Sequence, residues 1–225
     1  ALLKYGSGMP FARLENLERM AGIPLPASVQ WEQVAETASP FSPVLDALET
    51  HAAQGQVIHN DDTGMKVLDL MKQRDESDAA ETGKRQRRGI FTSGIVSQVG
   101  PRRIALFRTG HRHAGENLAD VLARRASHAG KPIQMCDALS RNLPKDLEVL
   151  LANCLGHARR EFVELIEDFP EPCRYVIEQL AEVYKHDAYT REQNMDPQTR
   201  LAYHQEHSEP LMDDLEDWCH AQLDE

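Results

Sequence analysis

The sequence predicts an α/β fold: a mixed sheet with flanking helices, followed by a helical segment. Three observations carry this. The middle of the 225-residue chain holds short apolar or β-branched runs separated by Gly, Pro and charged turns. One amphipathic helical pattern, GENLADVLARRASHAG, interrupts those runs. From His157 onward the periodicity is helical throughout, with almost no strand signal.

The elements follow in order. FARLENLERMAG places Leu14, Leu17 and Met20 at helical spacing, with Gly22 as a C-terminal cap. Further helices are expected over Val29–Glu36 and Pro43–His51, the latter with Ser42 as cap and proline at its first position. QVIHNDD, MKVLDLM, RGIFTSGIVSQ and RRIALFRT read as strands, with VGPRR as the turn between the last two. Residues 72–88, KQRDESDAAETGKRQRR, read as an exposed, mobile loop. The interposed helix gathers Leu118, Val121 and Leu122 on one face, and PIQMCDAL and EVLLANCL supply a fifth and sixth strand. In the tail, Phe162, Leu165, Ile166 and Phe169 form one stripe. Val176, Ile177, Leu180, Val183 and Tyr184 form another after a break at Pro172, and a last helix runs from about Pro210 to Leu223. The division expected is a helical lead-in (1–54), an α/β core (55–160) and a helical subdomain (161–225).

Composition bounds the function. Hydrophobic residues are 41% and charged residues 27%, ordinary for a globular protein, and no apolar run approaches the ~20 residues of a membrane span. The start, ALLKYGSGMP, lacks the pattern of a secretory signal. Four cysteines without disulfide spacing or a CxxC pair suit a reducing cytoplasm. Net charge is -11, yet residues 84–125 hold ten Lys/Arg against Glu116 and Asp120, an excess of +8. Residues 161–225 hold eighteen acids against four Lys/Arg, or -14. A basic middle can bind phosphate locally despite the overall sign; a solvated surface face is the competing reading.

Asp61 and Asp62 follow one strand and Asp137 follows another. Carboxylates at strand ends face the crevice of an open α/β sheet, and two that converge would repel without a cation between them. Mg²⁺ takes one or two carboxylates and keeps waters, and a pair of ions can activate an attacking oxygen and stabilise a leaving one. Taken singly, such an aspartate is as readily a turn or capping residue. His59 shares a sheet face with Asp61 by alternation, while His111 and His113 read as a loop pair.

Three motifs carry a resemblance. VIHNDDTGMKVLDL is similar to the first catalytic motif of the insertion sequence 66 family of DDE-type transposases, with Asp61 on the catalytic aspartate and Asp62 replacing the usual glutamate. IQMCDALSRN stands where the second aspartate lies: Asp137 matches, whereas Ala138, Leu139, Ser140 and Arg141 replace the usual Gly and Tyr continuation. NCLGHARREFVEL resembles the Cys-Trp-Ala-His-Ala-Arg-Arg-x-Phe signature through Cys154, His157, Ala158, Arg159, Arg160 and Phe162, with Leu155 and Gly156 replacing Trp-Ala. The lead-in KYGSGMPFARLENLERMAGIPLPASVQW also matches, so the resemblance runs nearly the whole chain in order.

The resemblance implies an RNase H-like core with Asp61 and Asp137 as catalytic, metal-holding carboxylates, Mg²⁺ or Mn²⁺ as cofactor, and phosphodiester cleavage and strand transfer on DNA. It implies that the third acid, in an Asp-Asn-Asn-x-x-Glu segment, lies beyond this chain; Glu161 and Glu164 are the local candidates to replace it. Lys84, Arg85, Arg87, Arg88, Arg102, Arg103, Arg159 and Arg160 are the expected DNA contacts. Cys154 and His157 are expected to serve the site's architecture, since a zinc site needs about four ligands and no second pair is near. The partners implied are transposon-end and target DNA, with a homo-oligomer and a cytoplasmic location also expected. The alternative function is a catalytically inactive remnant acting as a DNA- or protein-binding module. A Mg²⁺-dependent phosphatase is a third reading, against which the order of the motifs argues.

Overall fold

The computed structural model describes residues 2–67, 70–71, 89–145 and 147–223. The chain forms two compact units: residues 1–134 with 141–150, and residues 135–140 with 151–225.

Three helices open the first unit: α1 (Phe11–Met20), α2 (Ala27–Ala38) and α3 (Ser42–Ala52). Gly22 ends the first of these with φ 75°, a left-handed conformation that costs glycine little, and its N–H bonds back to Arg19 O. Of the expected stripe only Leu14 is buried; Leu17 and Met20 are exposed. Ser42 is not a side-chain cap. A 3₁₀ turn, Ser39–Phe41, runs straight into α3, so Ser42 already has helical dihedrals.

The sheet follows: β1 (Val57–Gly64), β2 (Phe91–Val99) and β3 (Arg102–Gly110). Helix α4 (Ala114–Leu122) then precedes β4 (Ile133–Cys136) and β5 (Leu150–Asn153). The strand order is β3-β2-β1-β4-β5. β1, β2 and β3 pair antiparallel through a tight β2–β3 turn at Gly100, φ 57°. β4 and β5 advance together: Leu150 N donates to Pro132 O and Cys154 N to Cys136 O, so the sheet is mixed.

Two strand expectations change. β1 extends through Gly64 because Asp61–Gly64 pair residue by residue with Gly94–Phe91. MKVLDLM is not a strand among its described residues: Met65–Val67 form loop, residues 70–71 are helical, and Met71 N donates to Val67 O. The basic run 72–88 lies outside the described residues.

Ala52, Ala53, Ile58, Ile95, Leu106, Leu118, Val121 and Leu122 form the core beneath the sheet, with the α4 stripe in its expected place. Gly115 is required there by close approach: a Cβ would lie 2.3 Å from Leu143 O and 2.8 Å from Arg141 O.

The second unit holds the helices α5 (Leu155–Glu164), α6 (Pro170–Glu192), α7 (Pro197–His207) and α8 (Glu209–Leu223). Pro172 does not break the run; Pro170 and Pro172 lie in the first turn of α6, where missing N–H groups cost little. Asp196 caps α7 by accepting from Gln198 N and Thr199 N. Val176, Leu180 and Leu215 are buried at its centre, with Leu155, Phe162 and Trp218 packed around them.

Candidate functional site

Alternation along β1 decides what its two aspartates can do. Ile58, Asn60 and Asp62 face the helix-covered side, whereas His59, Asp61 and Thr63 are exposed on the other. His59 and Asp61 therefore share a face, as alternation predicts. Asp61 accepts from Asp62 N at 2.8 Å through one oxygen; its other oxygen has no hydrogen bond among the described residues.

Asp62 is the opposite case. Its side chain is 1% exposed and is surrounded by donors. Ser93 Oγ donates to one oxygen at 2.7 Å, and Ala114 N donates to the other at 3.0 Å. His113 Nδ1 lies 3.1 Å from that second oxygen. Asn117 Nδ2 in turn donates to Ser93 Oγ at 2.8 Å, and the His113 ring lies against Phe91, centroids 4.5 Å apart. A carboxylate at the N-terminus of α4 meets unpaired helix N–H groups and the positive end of the helix dipole. Asp62 is thus a clamp joining β1, β2 and α4: it is buried, and each of its oxygens already accepts a hydrogen bond. His113 is correspondingly more than a loop histidine: the Glu116 side chain accepts from its backbone N–H at 2.9 Å, so the residue holds the first turn of α4 as well as meeting Asp62.

A second buried polar cluster sits at the β1–β4 junction. Gln134 Nε2 donates to Asn60 Oδ1 at 2.8 Å and to Asn142 O at 2.7 Å, and Asn60 Nδ2 donates to Asn142 O at 2.8 Å. These amides specify which strand lies beside β1, because a slipped register would leave them buried without partners.

The basic middle divides into committed and open cations. Arg108 bonds Glu49 at 2.6 Å and Asp120 at 3.1 Å; Arg124 bonds Glu49 at 2.9 Å and Asp46 at 3.3 Å. Arg112 bonds Asp120 at 2.5 Å, and the hydrogen bond from Arg112 holds the Asp120 carboxyl below its ordinary value. Arg125 donates to the carbonyls of Ala53, Gly55, Ala129 and Gly130, and burial lowers the pKa of its guanidinium. These four arginines hold the unit together. Arg102 and Arg103, at the start of β3, are exposed and lie beside a recess that includes Leu48, His51 and Ile104. Lys84, Arg85, Arg87 and Arg88 lie outside the described residues.

In the second unit Asp137 directly follows β4, as expected, and its Oδ1 accepts from Leu139 N at 3.2 Å. Cys154, the residue before α5, pairs with Cys136 through the backbone at 2.9 Å, so the Cys-x-x-His segment starts beside the strand that delivers Asp137. His157 N donates to Cys154 O at 3.0 Å, and His157 Nδ1 is buried with no hydrogen-bond partner among the described residues. Arg159, Arg160, Glu161 and Glu164 are exposed on α5.

No group of three or more His, Cys, Asp or Glu among the described residues is arranged to hold a metal ion. The donors that suit Mg²⁺ are individual exposed carboxylates, of which Asp61 in β1 retains an uncommitted oxygen. No helix of the described residues is long and apolar enough to cross a membrane.

Comparison with known proteins bears on this arrangement. The chain is 25% identical over 234 residues to an uncharacterised protein of Sinorhizobium fredii (strain NBRC 101917 / NGR234), y4hP, covering 96% of this chain and 40% of that relative. The chain thus spans well under half the length of the relative it matches. The model of the IS66 family of transposases matches residues 1–225. The chain therefore belongs to the IS66 transposase family.

Proposed function

We propose that this chain is part of the catalytic domain of a DNA transposase, a metal-dependent enzyme that cleaves phosphodiesters and joins strands. Family membership carries the reading. The strand order β3-β2-β1-β4-β5, with an antiparallel triplet and two strands running together, supports an RNase H-like core over residues 55–160, followed by a helical insertion.

Asp61 and Asp137 are the carboxylates proposed to hold Mg²⁺ or Mn²⁺. Asp61 is favoured over its neighbour because it is exposed with an oxygen to spare, whereas both oxygens of Asp62 are taken. Bound there, the cation supplies charge stabilisation to the scissile phosphodiester and lowers the pKa of an attacking hydroxyl or water. The protein's own part is placement: Asp62 and the Asn60–Gln134–Asn142 amides fix β1 against its neighbours, and so fix the backbone that carries Asp61. Arg102, Arg103, Arg159 and Arg160 are proposed contacts to the DNA phosphates, together with Lys84, Arg85, Arg87 and Arg88. Cys154 and His157 are proposed to shape the surroundings of Asp137. A cytoplasmic location and self-association are parts of the same proposal.

The test is strand cleavage. The full-length protein incubated with end-labelled transposon-end DNA and Mn²⁺ is expected to nick it, and Asp61→Ala and Asp137→Ala to abolish nicking. DNA that is bound yet left intact by the unsubstituted protein would instead identify a non-catalytic remnant. The departures after Asp137 and the acidic tail favour that second reading.

A further inference from the structure

The face of the first unit that carries Asp61 has a composition its neighbours in sequence do not reveal. Register places four rows across β1, β2 and β3: Val57–Gln98–Arg103, His59–Val96–Ala105, Asp61–Gly94–Phe107 and Thr63–Thr92–Thr109. Side chains directly opposite one another in an antiparallel ladder share a face, so Arg103, Phe107 and Asp61 lie on one surface.

Phe107 is 73% exposed, whereas its strand neighbour Leu106 on the other face is 4% exposed. Between Phe107 and Asp61 stands a glycine. A Cβ built on Gly94 would lie 3.7 Å from the Phe107 ring, so the ring leans over the gap that Gly94 leaves in the row. Two strand spacings, about 10 Å in all, separate the backbones of Asp61 and Phe107. An interval of that size is on the scale of one nucleotide. Arg103 lies on the same face toward the other end of β3 and bears no acidic partner among the described residues. Thr92 and Thr109, hydroxyls 2.8 Å apart, close the opposite end of the face with polar groups.

We propose that this sheet face binds an unpaired DNA nucleotide beside the scissile phosphate, with Phe107 as the stacking platform for its base and Arg103 holding the adjoining backbone. Aromatic rings on an exposed sheet are a sequence-tolerant way to hold single strands, because every base has a π-face. Phe107 is therefore a substrate-positioning residue that takes its partner from a frayed or flipped strand, and intact duplex lacks that partner. The inference rests on the reading of the chain as a DNA-processing domain.

The experiment is fluorescence anisotropy with the 225-residue chain and two labelled probes, a single-stranded oligodeoxynucleotide and a fully paired hairpin. Phe107→Ala is expected to weaken single-strand binding roughly 5- to 150-fold, leave the hairpin unchanged, and leave the salt dependence unchanged. Phe107→Trp is expected to restore binding, and Arg103→Ala to lower the logarithmic salt slope by about 0.7. Because Phe107 is exposed, its truncation should leave the melting temperature unaltered, which separates lost stacking from lost folding. Single-strand binding indifferent to Phe107→Ala, or equal losses on both probes, overturns the inference alone. Failure of the unsubstituted chain to bind either probe overturns the DNA-processing reading with it.

Discussion

Replacing Asp62 by alanine removes a carboxylate that is 1% exposed and leaves three donors without their acceptor. Ala114 is fully buried, so its N–H, at the start of a helix, cannot turn to water. Ser93 is equally buried, but its hydroxyl can rotate. The His113 ring, 20% exposed, can be solvated. A buried donor left unpaired costs about 1–3 kcal/mol and each lost net hydrogen bond about 1 kcal/mol; together the loss is about 3–5 kcal/mol. For a chain of this size that lowers the melting temperature by roughly 6–20 °C. Asp62→Asn keeps one acceptor oxygen and should lose about half as much. Asp61→Ala, one residue earlier but exposed, should shift stability by no more than about 0.5 kcal/mol. Thermal denaturation followed by circular dichroism at neutral pH measures all three. If Asp62→Ala melts with the unsubstituted chain, or Asp61→Ala falls as far, the assignment of clamp and ligand is refuted.

Gly115→Ala drives a methyl into the Leu143 carbonyl, which is backbone and cannot yield cheaply; destabilisation of about 1–3 kcal/mol is expected in urea unfolding. Leu180→Ala opens a cavity among the tail helices, and a loss of about 2–5 kcal/mol should appear in the same assay. The Asp120 carboxyl titrates below its usual value because Arg112 donates to it. A lowered folded-state pKa means that its stabilisation is complete above the unfolded value and is lost as pH falls through the folded one. The effect should therefore be confined to pH below about 4, and Arg112→Ala should move the Asp120 titration, followed by carboxyl NMR, up toward normal.

Period and turn chemistry made most of the sheet legible. Alternating β-branched runs gave β2 and β3, the Gly-Pro pair gave their turn, and the interposed helix buried the stripe it advertised. What local pattern could not show was how far pairing extends. Asp61, Asp62 and Gly64 are poor strand formers taken into β1 by their ladder to β2, and MKVLDLM is apolar enough to read as a strand although its described residues are loop and helix. Motif singled out the candidate aspartates, yet it did not show that Asp61 is exposed while the neighbouring Asp62 side chain is buried. Asp62 is bonded to residues 31 and 52 positions away, and nothing near it in sequence signals that burial. The local excess of positive charge overstated the open cationic surface for the same reason. Arg108 and Arg124 meet Glu49 from 59 and 75 positions distant, and charge counted along a window cannot anticipate partners outside it.

The central claim is that Asp61 and Asp137 serve a divalent cation while Asp62 does not, and calorimetric titration of the chain with Mn²⁺ tests it most directly. The account predicts saturable binding that is lost in Asp61→Ala and in Asp137→Ala and survives in an Asp62→Asn variant measured below its melting temperature. Binding indifferent to Asp61 and Asp137, or no binding at all, would contradict it.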